Sequence, residues 1–163
     1  MKLSNLSDLY LRDLRTIYDA EQQLLRALTK MADAAANNEL EIALRTHVDV
    51  TRNQGERLES IFHSLGQSPL GEACEAMEGL IAEADELLAA DADDEVLDAG
   101  LITAAQKVEH YEIAAYGSLR TYARLLRRYD DAALLQESLE EEKQADERLT
   151  RIAEGFVNTR ALT

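Results

Sequence analysis

Cysteine is all but missing from this chain. Cys74 is the only one, so no disulfide can close within it, and a reducing compartment is the natural setting. Proline occurs once, at Pro69, tryptophan not at all, and glycine seven times in 163 residues. With so few helix breakers, and with Ala, Leu and Glu abundant, long helices are expected; no stretch has the alternating pattern of a strand. Basic residues are outnumbered: 17 Lys and Arg stand against 32 Asp and Glu, a formal net charge of −15. A surface of that sign stays soluble and repels nucleic acid and anionic membranes. No apolar run approaches the length of a membrane span, and the start, MKLSNLSDLYLRDLR, carries charges at short intervals where a signal peptide has its hydrophobic region. The expectation is a cytoplasmic protein with no nucleic-acid or membrane partner.

Hydrophobic residues make up 46% of the chain, enough for a packed core, and the length suits a single domain over 1–163. Apolar periodicity marks four long helices. The first is expected over 7–36, with Ser4, Asn5 or Ser7 to cap it and Asn37–Asn38 to break it. The second runs over 39–65 and stops at GQSPLG, and a shorter helix covers 72–90. The third long helix follows DADD at 91–94 and ends near Arg128; the fourth follows YDD at 129–131 and ends near Gly155. Short turns make the first two antiparallel neighbours, and the last two likewise. The segment 66–93 is long enough to run back along most of the bundle, so that the third helix starts near where the second began. The expected fold is all-α, a ferritin-like four-helix bundle whose long crossover carries an extra short helix between helices 2 and 3.

Each long helix carries a seam with steps of four and three residues, the pattern of a face turned to a bundle interior. In the first helix the seam reads Tyr10, Leu14, Ile17, Glu21, Leu24, Leu28, Met31. In the second it reads Leu40, Leu44, His47, Thr51, Gln54, Leu58, Ile61, Leu65. In the third it reads Leu101, Ala105, Val108, Glu112, Ala115, Leu119, Tyr122, Leu126, and in the fourth Leu135, Leu139, Glu142, Asp146, Leu149, Ala153, Phe156. All four are apolar at both ends and polar in the middle. Folding the first pair about 37–38 sets Glu21 opposite 47–54. Folding the second pair about 129–130 sets Glu112 opposite Asp146, so the polar groups share one level of one core. Glu109, one turn before Glu112, flanks the same seam.

Bare carboxylates at that level would be costly, because each buried ion loses several kcal/mol of hydration. No Lys or Arg stands in any seam. Protonation could neutralise some of the acids, and a solvated cavity or hydrogen bonds between helices could accommodate them. Two divalent ions could balance nearly all of Glu21, Glu109, Glu112, Glu142 and Asp146, with His47 or Gln54 either binding or supporting the bound groups. Oxygen-rich ligation with one imidazole suits iron or manganese better than four-coordinate zinc. The candidate metal set is therefore Glu21, His47, Gln54, Glu109, Glu112, Glu142 and Asp146, for two iron ions or manganese in their place. Tyr18 and Tyr116 lie one turn from Glu21 and Glu112, as core aromatics or as hydrogen-bond partners of a ligand. His63 and His110 read as surface or flank residues, and Cys74 as structural. A weak internal repeat relates QGERLESI at 54–61 to ADERLTRI at 145–152, and YDAEQQL to EHYEIAA, which aligns Glu21 with Glu112.

The stretches LRDLRTIYDAEQQLLRAL, HVDVTRNQGERLESIFHSLG, AAQKVEHYEIAAYGSLRTYA and LEEEKQADERLTRIA, of which VEHYEIAAYG is the most specific, resemble the YciE/YciF-like stress-protein family of the ferritin-like superfamily. The resemblance covers essentially the whole chain. It implies a helical bundle, frequently dimeric, with a di-iron or related metal centre and a link to stress physiology, but it brings no established reaction. The wider superfamily carries a Glu on each of two helices and Glu-x-x-His on each of the other two. Glu21 and Glu112 match the single positions. The fourth helix has Glu142 and Asp146 without a His, and the second has His47, Thr51 and Gln54 with Glu56 off its seam, so neither Glu-x-x-His is intact. Three functions compete. One is a redox enzyme, a homodimer reacting with dioxygen or peroxide and fed by an external electron donor, since rubredoxin-type cysteines are missing. The others are iron handling, as ferroxidase or as a store that needs a closed shell, and a non-catalytic partner-binding bundle with a relic site.

Overall fold

Asn5 starts the first helix. Its backbone is extended and its side-chain oxygen accepts from the Asp8 N–H at 3.0 Å, leaving one fewer orphan donor at the helix start. The computed structural model describes residues 3–162, so Met1, Lys2 and Thr163 of the expected domain 1–163 lie outside the described residues. From Asn5 the chain runs through α1 (Leu6–Ala34) and turns at Asn37, whose side chain caps α2 (Asn38–Leu65) by accepting from Glu39 at 2.9 Å and Leu40 at 3.0 Å. Gly66 ends α2 in the left-handed conformation, φ 62, which glycine adopts without a Cβ penalty. The short helix is trimmed from the expected 72–90 to α3 (Glu75–Leu88), because the thiol of Cys74 takes the capping place and accepts from the Met77 N–H at 3.4 Å. α4 (Asp94–Leu125) and α5 (Tyr129–Ile152) follow. A π-helical turn at Ala153–Val157, centred on Gly155, then widens the chain into the last turn, α6 (Asn158–Arg160). There is no strand among the described residues, and no helix there is long and apolar enough to cross a membrane.

α1 packs on α2 and α4 on α5; α2 then meets α5 and α1 meets α4, which closes the square of a four-helix bundle. α3 lies against α1 and α4 on the outside. Gly100 lets it come close, since a Cβ there would stand 2.6 Å from Leu87 Cδ2. The crossover returns the chain as expected. Asp98, near the start of α4, accepts from the N–H groups of Ala36 at 2.9 Å and Asn37 at 2.8 Å, which pins α4 beside the turn where α2 began. At the opposite end Asp131, near the start of α5, accepts from the Tyr10 hydroxyl at 3.2 Å and from Ser64 at 3.4 Å and pairs with Arg128.

The α1 seam is buried throughout, as expected, and so is the α2 seam up to Ile61. In α4 the seam shifts. Ala115, Tyr122 and Leu126 are only half-buried, while Tyr116, Leu119 and Ala123 are buried. A straight helix of 32 residues turns every 3.6 residues, so a seam written with steps of four and three drifts off the core and must slip by one.

The turn after α4 holds the one non-glycine residue with positive φ among the described residues, Arg127 at φ 60. That conformation costs an L-residue about 1 kcal/mol that glycine does not lose. Arg127→Gly is expected to raise the melting temperature by about 2–4 °C, read by circular dichroism; a fall would mean that the arginine side chain holds the turn.

Candidate metal centre

Four buried side chains from three helices converge in the middle of the bundle. His47 comes from α2, Glu109 and Glu112 from α4, one turn apart, and Glu142 from α5; each offers a ligand atom, and these atoms all lie within 4.8 Å of one another. Glu109, Glu112 and Glu142 are at most 1% exposed and His47 is 6% exposed. The imidazole Nε2 stands 3.3 Å from Glu109 Oε2 and 3.4 Å from Glu142 Oε2, yet none of the three atoms makes a hydrogen bond. Both oxygens of Glu112 lack a partner as well. Buried polar atoms are ordinarily satisfied, so five unpartnered donor atoms within one small volume stand out.

Glu21, from α1, sits beside this group. Tyr116, fully buried one turn after Glu112, donates its hydroxyl to Glu21 Oε1, while Glu21 Oε2 is left without a partner. Gln54 turns its amide to Glu142 and donates to Oε1; the same nitrogen reaches Glu141 Oε2 at 3.2 Å. Glu141 is in turn held by Arg57 through two bonds of 2.6 and 2.7 Å. Gln54 therefore supports Glu142 rather than joining the convergent atoms. The Thr51 hydroxyl, one turn after His47, is buried and unpartnered.

Burial sets the electrostatics. It drives the carboxyls of Glu21, Glu109 and Glu112 well above the ordinary carboxylate range, and the charge of Glu142 adds to the rise in all three. Burial also works to raise Glu142. The close approach of Glu109, the charge of His47 and the hydrogen bond from the Gln54 amide together outweigh it and hold Glu142 down at about 2. Burial, with the charges of Glu21 and Glu112, pushes the Tyr116 phenol well above its usual value, so it stays a donor. Without a metal ion the surroundings thus favour the neutral form of Glu21, Glu109 and Glu112 and the ionised form of Glu142.

Asp146 is not brought to the cluster. Its side chain is 23% exposed and accepts from Gln106 at 3.1 Å, with His110 Nε2 also 3.1 Å away. The cause is helix geometry: Ala145 and Asp146 are both half-buried, so the α5 seam passes between them before it re-enters the core at Leu149. Glu109, expected to join the candidate set from the flank of the α4 seam, is among the four convergent residues. The cation Arg57 stands off the seams, where core periodicity gives no sign of it. The offset of the internal repeat that pairs Glu21 with Glu112 also sets Thr51 against Glu142 and Tyr18 against Glu109. The second half of the chain supplies three of the four convergent residues; at the matching positions the first half has Tyr18, Glu21 and Thr51, of which only Glu21 is an acid.

A family model described as a domain of unknown function, DUF892, matches residues 5–162. Protein YciF of Escherichia coli (strain K12) is 44% identical over 162 residues, 99% of this chain and 98% of that protein. The crystal structure of that stress protein superimposes with a TM-score of 0.92 over 96% of this chain and 99% of its own. YcfI of Rhodopseudomonas palustris follows at 46% identity and a TM-score of 0.88, covering 91% of this chain and 95% of that one. A protein of Xanthomonas campestris pv. campestris shares the fold at 20% identity, with a TM-score of 0.75 and 94% of each chain covered. The architecture, the full-length identity and the family match agree: the chain belongs to the DUF892 family, together with the stress protein YciF.

Proposed function

We propose that the centre binds divalent transition-metal ions, iron or manganese, and that the protein is a stress-associated redox metalloprotein reacting with dioxygen or peroxide. The observation that carries this reading is the set of unpartnered buried atoms: His47 Nε2, Glu109 Oε2, both oxygens of Glu112 and Glu142 Oε2 face one another without hydrogen bonds. One imidazole with several carboxylate oxygens fits iron or manganese by donor type. His47, Glu109, Glu112 and Glu142 would hold one ion. Glu21, whose Oε2 also lacks a partner, would help to hold a second.

Such ions would supply the redox equivalents and an open coordination position for the oxidant. The protein's own part is orientation. Gln54 fixes the rotation of the Glu142 carboxylate, and Arg57 behind it fixes Glu141. Tyr116 keeps its proton on the phenol and aims Glu21. Leu24, Leu44, Val108 and Leu139 on the same helices bury apolar side chains above and below the level. The working unit in this reading is a homodimer with an external electron donor.

Protein purified without chelator is expected to carry two ions per chain by elemental analysis, to run as a dimer in light scattering, and to consume dioxygen or peroxide faster when loaded than when metal-free. Equal rates with both oxidants for iron-loaded, manganese-loaded and metal-free protein would favour a non-catalytic bundle with a relic site. A closed shell of many subunits would favour iron storage.

A further inference from the structure

α2 and α5 do not close completely over the centre. Between them lies a cleft of about 290 Å³, and the buried residues His47 and Glu109 line its inner part. Leu44, Val50, Ala145 and Leu149 give its wall an aliphatic stretch, beside the polar side chains of Thr46 and Gln144. The charged side chains nearer solvent are Glu141, Glu147, Arg148 and Arg151, two of each sign, so they set up no net attraction for an anion. Further in stand the imidazole of His47 and the carboxyl of Glu109. Nε2 of His47 and Oε2 of Glu109 both lack hydrogen-bond partners, and both residues are more than nine-tenths buried. The cleft therefore leads from solvent to the side chains of His47 and Glu109, whose unpartnered atoms lie just beneath its inner surface, along a path that includes an aliphatic stretch.

We propose that this cleft is the entry and docking site for a small uncharged diatomic molecule of the dioxygen class. The inference rests on the metal reading above and assigns its substrate class. A weakly hydrated diatomic loses little on leaving water for an aliphatic wall, whereas an anion or a strongly hydrated peroxide loses hydrogen bonds that Leu44, Val50 and Leu149 cannot replace. Ala145 is the position that keeps the route open. It is half-buried on α5, it faces the cleft, and it is not among the convergent residues.

The test is the association of nitric oxide, a stable diatomic surrogate, with ferrous-loaded protein under anaerobic conditions, followed by stopped-flow absorbance. Ala145→Phe fills the cleft, and Ala145→Leu fills it partly and carries the measurement where the larger side chain disturbs folding. Ala114→Phe serves as a control, because Ala114 lines a different cleft, between α4 and α5, whose lining includes none of the four convergent residues. Ferrous affinity is expected to be unchanged in all three variants. The association rate is expected to fall about tenfold or more in Ala145→Phe, equivalent to a barrier higher by about 1.4 kcal/mol, to fall less in Ala145→Leu, and to stay at the wild-type value in Ala114→Phe. Azide is expected to leave the spectrum of the loaded wild type unchanged. Wild-type rates in both Ala145 variants, with ferrous binding intact, would overturn the cleft as the route and leave the metal reading standing. Azide binding through the cleft would overturn the uncharged class. A wild-type protein that takes up no ferrous ion would overturn both readings.

Discussion

Ferrous ion is expected to raise the melting temperature of the wild-type protein, and Glu112→Ala to remove most of that rise while leaving the metal-free value nearly where it was. The reasoning begins with a metal-free centre in which Glu112 is completely buried, with neither oxygen hydrogen-bonded. Truncating it opens a cavity, which destabilises. It also removes a desolvated polar group that makes no bond and faces the charge of Glu142, which stabilises. The two effects oppose, so the metal-free melting temperature moves by only a few degrees. In the wild type, a ligand that binds only the folded state adds about 2.7 kcal/mol at a hundredfold excess over its dissociation constant. For a domain of this size that is a rise of about 5–10 °C. Glu112 would bind one ion beside the one that Glu21 helps to hold, so the variant forfeits most of the gain. Anaerobic melts of both proteins, with chelator and with ferrous ion, give the four values needed. An equal drop for Glu112→Ala in both conditions would mean that the carboxyl serves the fold alone, and the metal reading would be abandoned.

Much of this arrangement is legible in the sequence because the bundle imposes a short-range rule. Every seam residue of α1 is buried, Glu21 included, since one helix face against one core leaves no other place for a stripe of steps four and three. The crossover follows from lengths alone, and the Asp98 bonds to the α1–α2 turn confirm where it delivers α4. What the sequence hides depends on fractions of a turn and on other helices. Tyr116 replaces Ala115 in the core through the drift of a long helix, and Asp146 misses it for the same reason. The separation of Glu21 from the four convergent residues is set by the Tyr116 hydroxyl, a contact between α1 and α4 that no periodicity encodes. The roles of Gln54 and Arg57 likewise depend on Glu142 and Glu141, which lie across the bundle on α5.

Metal-free protein is expected to lose stability as the pH rises above about 5, opposite to the usual behaviour of paired carboxylates. Glu21, Glu109 and Glu112 have folded-state values well above the ordinary 4.5, with burial the leading cause. Below that ordinary value both the folded and the unfolded chain hold these protons, and there is no penalty. Above it the unfolded chain ionises while the folded chain keeps its protons, so the folded state binds more and stability falls with pH. The fall is up to about 1.4 kcal/mol per pH unit for each carboxyl kept neutral. Glu142, held down at about 2, acts the other way: its contribution is present above 4.5 and is lost as the pH falls toward 2. It therefore leaves the range above about 5 untouched. Manganous ion should flatten or reverse the slope, because metal displaces the protons and binds more tightly as the pH rises. Glu112→Gln should reduce the metal-free slope by one carboxyl's share, whereas Glu140→Gln, at an exposed position, should leave it unchanged. General repulsion in a chain of net charge −15 also grows with pH, but one charge at either position alters it almost equally, so the difference between the two variants isolates the buried group. Denaturant melts of the three proteins between pH 5.5 and 8.5 measure these slopes. If the Glu112→Gln slope matches wild type, Glu112 is already ionised in the folded protein, and a resident cation or ordered water must be stabilising its charge.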